Sequence, residues 1–113
     1  MERKQISEAE LYAILEAQGV PQKHCAFKCV GCGHVQSFAS FERYMPLEDT
    51  YKYAYFSCEG RVDKSRGCDW TLGGLFQIHK LEIVAEGGEI VPCFEPATPE
   101  EAKALMAELE GEA

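Results

Sequence analysis

The architecture of this chain can be inferred from one short segment, Cys29-Val30-Gly31-Cys32-Gly33-His34. Its two cysteines are separated by two residues, so both sulfur atoms can bind one tetrahedral metal ion at about 2.3 Å. The glycines allow the loop to turn so that backbone amides point toward the sulfur atoms. This spacing is typical of a zinc knuckle, which needs a second pair of cysteines to complete four ligands.

The sequence supplies a second pair in Cys58 and Cys68. Nine residues separate these cysteines, which is long for a simple knuckle. A strand expected to end at Phe56 and Ser57 and another expected to begin at Asp69 and Trp70 would bring the two sulfur atoms together while the charged segment between them loops out. We therefore predict one zinc ion as the cofactor. Its predicted ligands are Cys29, Cys32, Cys58 and Cys68.

Other cysteines and histidines could replace one of these ligands. Cys25 is the main alternative, because it and Cys29 also flank a short turn, and His34 directly follows the knuckle. Cys93 is predicted to be a buried core thiol. His24 and His79 are predicted to be packed or surface histidines.

A zinc ion bound by four cysteines has no open position for water or substrate, so it stabilises the fold and does no chemistry. We therefore predict that the chain is not an enzyme and has no catalytic residues. Cys29 and Cys32 could instead be a redox pair, but such pairs usually open a helix after a strand of a βαβ unit. A zinc deaminase needs a His-x-Glu motif, which this sequence lacks. A histidine nuclease would need paired histidines and basic phosphate-binding residues.

Helices are predicted at both ends of the chain. Near the N-terminus, Ser7 and Glu10 form a capping box, and the pattern predicts a helix over residues 8–18. Near the C-terminus, Thr98 and Glu101 form a second capping box, which predicts an acidic helix over residues 98–110. In both helices the apolar stripe is expected to face the core.

Between the helices the pattern favours strands. The stretch Tyr51-Lys52-Tyr53-Ala54-Tyr55-Phe56 alternates with a period of two, as in a half-buried strand. Phe76–Val84 predicts another strand, and Glu86–Glu89 predicts a hairpin turn into a final strand. Pro92 cannot donate a hydrogen bond to a neighbouring strand, so this final strand is expected at the edge of its sheet.

The length of 113 residues supports one domain, residues 1–113. We predict an α+β fold in which a small antiparallel β zinc-ribbon core, residues 24–94, is flanked by the N-terminal and C-terminal helices. No apolar run approaches the roughly 18 residues that cross a bilayer. The charged N-terminus lacks the apolar stretch of a signal peptide, so a reducing cytosol is expected. There, six cysteines point to metal binding before disulfides.

The formal net charge of −8 is concentrated near the C-terminus. Residues 82–113 contain nine acidic residues and one basic residue, whereas residues 1–81 contain ten of each. This distribution lacks the strongly basic domain typical of nucleic-acid-binding proteins and favours a basic partner. The predicted partner-binding residues lie on the outer face of the C-terminal helix. They are Glu108, Glu110 and Glu112.

Aromatic residues give an alternative binding surface. Ten of the twelve lie between residues 27 and 76, where they are expected to supply most of the core. Alternatively, the tyrosine stretch and three nearby basic residues could form a face for base stacking and phosphate binding. These basic residues are Arg61, Lys64 and Arg66. Because acidic neighbours offset their charge, weak or no direct nucleic-acid binding is expected.

Three stretches resemble a family of small uncharacterised proteins encoded by bacteriophages and prophages. They are CVGCGHVQS at residues 29–37, Phe56–Leu75 with its CDWTLGGL ending, and FEPATPEEA at residues 94–102. The resemblance implies a viral origin, expression inside a bacterial host and a zinc-binding set of cysteines. It brings no assigned activity.

Together these features predict a phage-encoded, zinc-stabilised protein that binds a host protein or nucleoprotein complex in the host bacterial cytoplasm. An acidic protein of this size suits an inhibitor of a host defence complex, similar to anti-CRISPR proteins. The alternative is a nucleic-acid-binding zinc ribbon with a regulatory role.

Overall fold

A computed structural model describes residues 4–72 and 80–111 of the chain. Over these residues the chain forms six short strands and four α-helices, which confirms the predicted α+β class. The strands are Lys4–Ser7 (β1), Ala26–Lys28 (β2), Val35–Ser37 (β3), Leu81–Val84 (β4), Ile90–Cys93 (β5) and Glu95–Pro96 (β6). The helices are Glu8–Glu16 (α1), Phe38–Phe41 (α2), Leu47–Thr50 (α3) and Pro99–Gly111 (α4).

Helix α1 begins at the predicted capping box. The Ser7 hydroxyl accepts a hydrogen bond from the Glu10 backbone N–H at 3.1 Å, and the Glu10 carboxylate accepts one from the Ser7 N–H at 3.2 Å. The helix ends at Glu16, slightly before the predicted end at residue 18. The chain then turns at Gly19, whose φ of +73° favours glycine.

Helix α4 begins at the second predicted capping box. The Thr98 hydroxyl accepts from the Glu101 backbone N–H at 3.1 Å, and the Glu101 carboxylate accepts from the Thr98 N–H at 2.9 Å. Ala102 and Leu105 are buried and belong to a small apolar cluster that includes Ala26 of β2. The apolar stripe of α4 therefore faces the protein, as predicted.

The first sheet has the strand order β1-β4-β5, with β4 parallel to β1 and antiparallel to β5. The predicted hairpin turn at Glu86–Glu89 is confirmed, and β5 lies at the edge that Pro92 requires. The predicted strand Phe76–Val84 is observed from Leu81, and residues 76–79 lie outside the described residues. Strand β1 was not predicted, and its parallel pairing makes this sheet mixed instead of purely antiparallel.

The second sheet is antiparallel and has the order β3-β2-β6. Strands β2 and β3 form a hairpin, and the segment Cys29–His34 connects them. The sheet therefore places the two knuckle cysteines at the end of a hairpin. The two paired strands therefore anchor both ends of the segment that carries Cys29 and Cys32.

The strand predicted at Tyr51–Phe56 is wrong. Residues 51–56 form consecutive turns that continue from α3, with hydrogen bonds from Ala54 N–H to Thr50 C=O and from Ser57 N–H to Tyr53 C=O, at 3.1 and 2.8 Å. Ala54 is completely buried, whereas Tyr53 is 43% exposed. The segment therefore buries its small residue and leaves a tyrosine at the surface, which is the opposite of the predicted pattern.

One apolar cluster contacts both sheets. Its largest fully buried side chains are Phe27, Phe41 and Phe94, each 1% exposed. Cys93 is also 1% exposed, and burial raises the pKa of its thiol to about 12, so it is the buried core thiol that was predicted. In the described part of the chain, every helix is too short or too polar to cross a membrane.

Candidate metal centre

Four cysteine side chains converge in the structure. They form the four-cysteine cluster, Cys29, Cys32, Cys58 and Cys68. Their sulfur atoms all lie within 4.8 Å of one another. The Sγ atoms of Cys29 and Cys68 are 3.8 Å apart, and those of Cys32 and Cys58 are 3.7 Å apart. The predicted ligands thus come together although these two pairs of cysteines are 39 and 26 positions apart in the sequence.

These distances fit a shared metal ion. A metal–sulfur bond of about 2.3 Å in a tetrahedron places neighbouring sulfur atoms roughly 3.8 Å apart. A disulfide would require about 2.05 Å, so the cysteines are not paired covalently. The set of four thiols is suited to a soft, tetrahedral metal ion. The cluster can therefore hold one metal ion with all four positions filled by protein.

The first pair is held by the β2–β3 hairpin. The Cys29 N–H donates to the His34 carbonyl at 2.9 Å, and the Gly33 N–H donates to the Cys29 carbonyl at 2.9 Å. Gly33 has a φ of +77°, which closes the turn. The Gly31 N–H lies 3.3 Å from the Cys29 sulfur, so the turn directs a backbone donor at this ligand, as expected for a knuckle.

The second pair is held by an isolated β-bridge between Ser57 and Thr71. The strand predicted to end at Phe56 and Ser57 and the strand predicted to begin at Asp69 and Trp70 are observed only as this bridge. The Cys58 N–H donates to the Trp70 carbonyl at 2.9 Å, and the Cys68 N–H lies 3.4 Å from the Cys58 sulfur. The nine-residue gap is taken up by two short 3₁₀ turns, Glu59–Arg61 and Lys64–Arg66.

Electrostatics favour a thiolate at Cys58. Its pKa is lowered to about 5, first by the interaction with the Cys29 thiol and then by the backbone amides of Gly60 and Cys68. The same interaction raises the pKa of Cys29, and burial raises it further. Within this pair, the backbone amides of Gly60 and Cys68 therefore stabilise negative charge on the Cys58 sulfur.

Neither alternative ligand belongs to the four-cysteine cluster. The Cys25 thiol lies against the Leu15 carbonyl oxygen at 3.7 Å, in the apolar core. The His34 Nε2 atom lies 3.0 Å from the carboxylate of Glu59. Glu59 is completely buried and also contacts Arg43 at 3.3 Å and the Tyr44 hydroxyl at 3.1 Å. His34 is thus part of a polar network beside the cluster.

One residue that sequence reasoning missed positions Cys58. The Gln36 side chain donates to the Ala54 and Ser57 carbonyls at 2.8 and 2.7 Å and accepts from the Glu59 N–H at 2.7 Å. Gln36 is completely buried, and two of these contacts flank Cys58 directly. The amide of Gln36 therefore joins the hairpin of the first cysteine pair to the backbone of the second.

We expect Gln36→Leu to destabilise the chain by about 3 kcal/mol or more, because it leaves three buried backbone groups unpaired at roughly 1–3 kcal/mol each. The free energy of unfolding, measured by denaturant titration of the metal-loaded protein, tests this. Gln22→Leu is the matched control, since Gln22 is exposed and should change stability by less than about 0.5 kcal/mol. Equal effects of the two substitutions would contradict the role of Gln36.

The predicted nucleic-acid-binding residues lie in the loop between Cys58 and Cys68. Arg61 donates to the Asp69 backbone carbonyl at 2.8 Å, and the Arg66 guanidinium lies 3.0 Å from the Asp63 carboxylate. Lys64 is exposed. Two of the three basic side chains therefore hold their own loop together, which reduces the charge they offer to a phosphate backbone.

Two of the three predicted partner-binding residues lie at the end of α4. Glu108 and Glu110 are exposed, while Glu112 lies outside the described residues. The last turn of α4 contains no basic residue. This end of the helix therefore presents negative charge to solvent, with no compensating cation on that turn.

Comparison with known proteins identifies the family. A family model described as VVA0879-like matches residues 7–97, which include both cysteine pairs, so the chain belongs to the VVA0879-like family. No curated protein and no solved structure matches the chain.

Proposed function

We propose that this member of the VVA0879-like family is a zinc-stabilised binding protein and not an enzyme. The observation that carries the proposal is the convergence of four cysteine sulfur atoms at distances suited to a tetrahedral ion. Zinc is the common partner of four cysteines arranged in this way. Because the protein fills all four positions, the ion has no place for water or substrate, and its role is to fix the fold.

We further propose a zinc-ribbon type of core. In it, the β2–β3 hairpin supplies one pair of ligands and the bridged segment around Ser57 and Thr71 supplies the other. The long loop between Cys58 and Cys68 would be a departure from the short second knuckle of such a core. The zinc ion would hold this loop, and the Glu59 network beside it, against the hairpin.

The proposed activity is the binding of a basic macromolecule. The net charge of −8 and the exposed carboxylates at the end of α4 support it, because they attract positively charged surfaces over several ångströms. Within this proposal the partner is a host protein or nucleoprotein complex, and the protein is an inhibitor of host defence in a phage-infected bacterium. The support for that setting is the sequence resemblance described above.

Charge reversal near the C-terminus tests this proposal. Replacing Glu108, Glu110 and Glu112 with lysine should slow association with the captured host partner by about tenfold or more at low salt, because electrostatic steering acts mainly on the association rate. Zinc content and melting temperature should stay nearly unchanged. The measurement is stopped-flow or surface-based kinetics with the partner identified by affinity capture from bacterial lysate.

A matched triple variant controls for net charge. Glu48, Glu86 and Glu89 are exposed and lie elsewhere, so their replacement by lysine changes the total charge equally. If both triple variants slow association to the same extent, the effect is global and α4 is not the binding surface. Capture of nucleic acid alone, with loss on replacement of Arg61 and Lys64, would instead support the nucleic-acid-binding alternative.

A further inference from the structure

A groove of about 590 Å³ lies between α1 and the hairpin of β4 and β5, on residues separate from the four-cysteine cluster. Its floor reaches fully buried residues, including Phe27 and Cys93, each 1% exposed. Leu11 and Leu15 line one side of it. The volume lies within the range of roughly 300–1,000 Å³ that is usual for sites that bind small molecules.

The groove also has an aromatic lining. Phe38, Tyr51 and Tyr55 line it, and the rings of Phe38 and Tyr51 pack with their centroids 4.6 Å apart. Tyr51 is 38% exposed, so this part of the lining is accessible to solvent. A ligand entering the groove would therefore bury apolar surface against aromatic rings.

The rim formed by α1 is acidic. Glu8, Tyr12 and Glu16 all line the groove and are spaced by four residues, so they lie on one face of the helix. Tyr12 is 58% exposed, and Glu16 is also exposed. Among the described residues that line the groove there is no Lys, Arg or His. The groove thus combines an apolar interior with a negatively charged edge.

Glu16 is placed where a carboxylate is unfavourable. It is the last residue of α1, and the last turn of that helix contains no basic residue. A negative charge there faces the negative end of the helix dipole. Across residues 4–72 and 80–111, Glu16 forms no ion pair. A bound cation would relieve this unfavourable charge.

We infer that the groove binds a small organic cation with an apolar, aromatic body. The body would lie over the buried floor, and the cationic group would lie at the rim near Glu16 and Tyr12. Glu8, whose carboxylate accepts from the Glu86 N–H at 3.3 Å, would add negative charge about two turns away on the same helix face. Aromatic faces attract cations, and the nearby carboxylates add to that attraction. The closed floor and the volume fit one small molecule better than an extended segment of a partner protein.

A series of three indoles tests the inference on the full, zinc-loaded chain. Tryptamine carries a cation, skatole is neutral and indolepropionate carries an anion, while all share the same ring system. Titration followed by ¹H–¹⁵N NMR should move resonances of groove residues such as Leu11 and Val91. Tryptamine should bind about fivefold more tightly than skatole, and indolepropionate more weakly than either. Equal affinity for tryptamine and skatole would overturn the inference.

Paired variants locate the site. The double replacement Glu8→Gln with Glu16→Gln should weaken tryptamine binding to the level of skatole and leave skatole unchanged. Replacing Glu108 and Glu110 with glutamine changes the net charge equally and should leave both ligands unaffected. Val91→Phe, which fills part of the groove, should weaken all binding at unchanged zinc content.

Three other outcomes would contradict the inference. The first is the absence of binding for every indole. The second is that a basic amphipathic peptide displaces tryptamine at a much lower concentration, which would assign the groove to a protein partner. The third is self-association in sedimentation that Tyr12→Ala abolishes, which would assign it to a second copy. Each of these results leaves the zinc proposal intact, because the groove and the four-cysteine cluster share no residue.

Discussion

Replacement of Cys58 by serine is expected to abolish zinc binding and unfold the chain. The Cys58 side chain is completely buried, and its sulfur lies within 4.8 Å of the other three sulfur atoms. The binding free energy of a structural zinc ion, about 10–16 kcal/mol in small domains, is largely folding free energy. This exceeds the typical stability of a whole domain, about 5–15 kcal/mol, so the loss should leave no folded population.

The measurement combines elemental analysis with circular dichroism. Wild-type protein purified under reducing conditions should contain close to one zinc ion per chain, and the variant should contain almost none and show no cooperative melting. Trp70 adds a local fluorescence signal. It is the only tryptophan in the sequence, and its side chain packs against Gly31 in the first knuckle. Its emission should shift when a chelator removes the ion from the wild-type chain.

Cys25→Ala is the matched control, since Cys25 is also buried but lies outside the four-cysteine cluster. It should retain one zinc ion per chain and lose only about 1–2 kcal/mol from the small cavity it creates. Full zinc content in the Cys58 variant, or loss of zinc from the Cys25 variant, would show that the ligand set is assigned incorrectly.

The metal centre was predictable because its signal is chemical and local. Cys29 and Cys32 have a spacing that few other functions require, and the glycines around them fit a tight turn. The second pair needed an assumption about folding, namely that Cys58 and Cys68 converge despite a long gap. The structure supports that assumption with a single β-bridge instead of the two strands that were expected.

The tyrosine segment shows where periodicity misleads. The alternation of Tyr51, Tyr53 and Tyr55 predicts a strand, because aromatic residues are common in strands. The buried residues that follow Thr50 are Ala54 and Ser57, at intervals of four and three, which is a helical spacing. The buried side chains of this segment are small, and because they are only weakly hydrophobic, their helical spacing does not stand out in the sequence.

Long-range polar contacts were beyond sequence reasoning. Gln18 follows the end of α1, and its buried amide bonds the backbone of Ala26 and Ala97. Gln36 does the same for the segment around Cys58. Such contacts join residues up to 79 positions apart, and nothing in the local pattern of either glutamine reveals its partners. Strand β1 was missed for the same reason, since its parallel pairing with β4 is also distant in sequence.

Gly60→Ala is also expected to have a large effect on zinc binding, because it should prevent the two cysteine pairs from converging on one ion. A Cβ atom added at Gly60 would overlap the backbone of Gly67 and Cys68, and backbone atoms cannot move aside as a flexible side chain can. The loop would have to open, moving Cys68 away from Cys58. Overpacking of this kind commonly costs about 1–3 kcal/mol, and the added loss of a metal ligand should make the effect larger. We expect the variant to bind zinc at least about a hundredfold more weakly.

Competition with a chromogenic zinc chelator measures that affinity, and Gly87→Ala provides the control. Gly87 lies in the β4–β5 turn, has no neighbouring atom within 4 Å of an added Cβ and does not adopt a positive φ. Its replacement should leave zinc affinity unchanged and stability the same or slightly higher, because alanine restricts the unfolded chain. Gly67→Ala should resemble Gly60→Ala, since its added Cβ would lie 2.7 Å from the Cys58 sulfur and its φ of +151° disfavours other residues. If Gly60→Ala binds zinc as tightly as Gly87→Ala, the close approach of the loop to Cys68 is not what brings the second pair of ligands together.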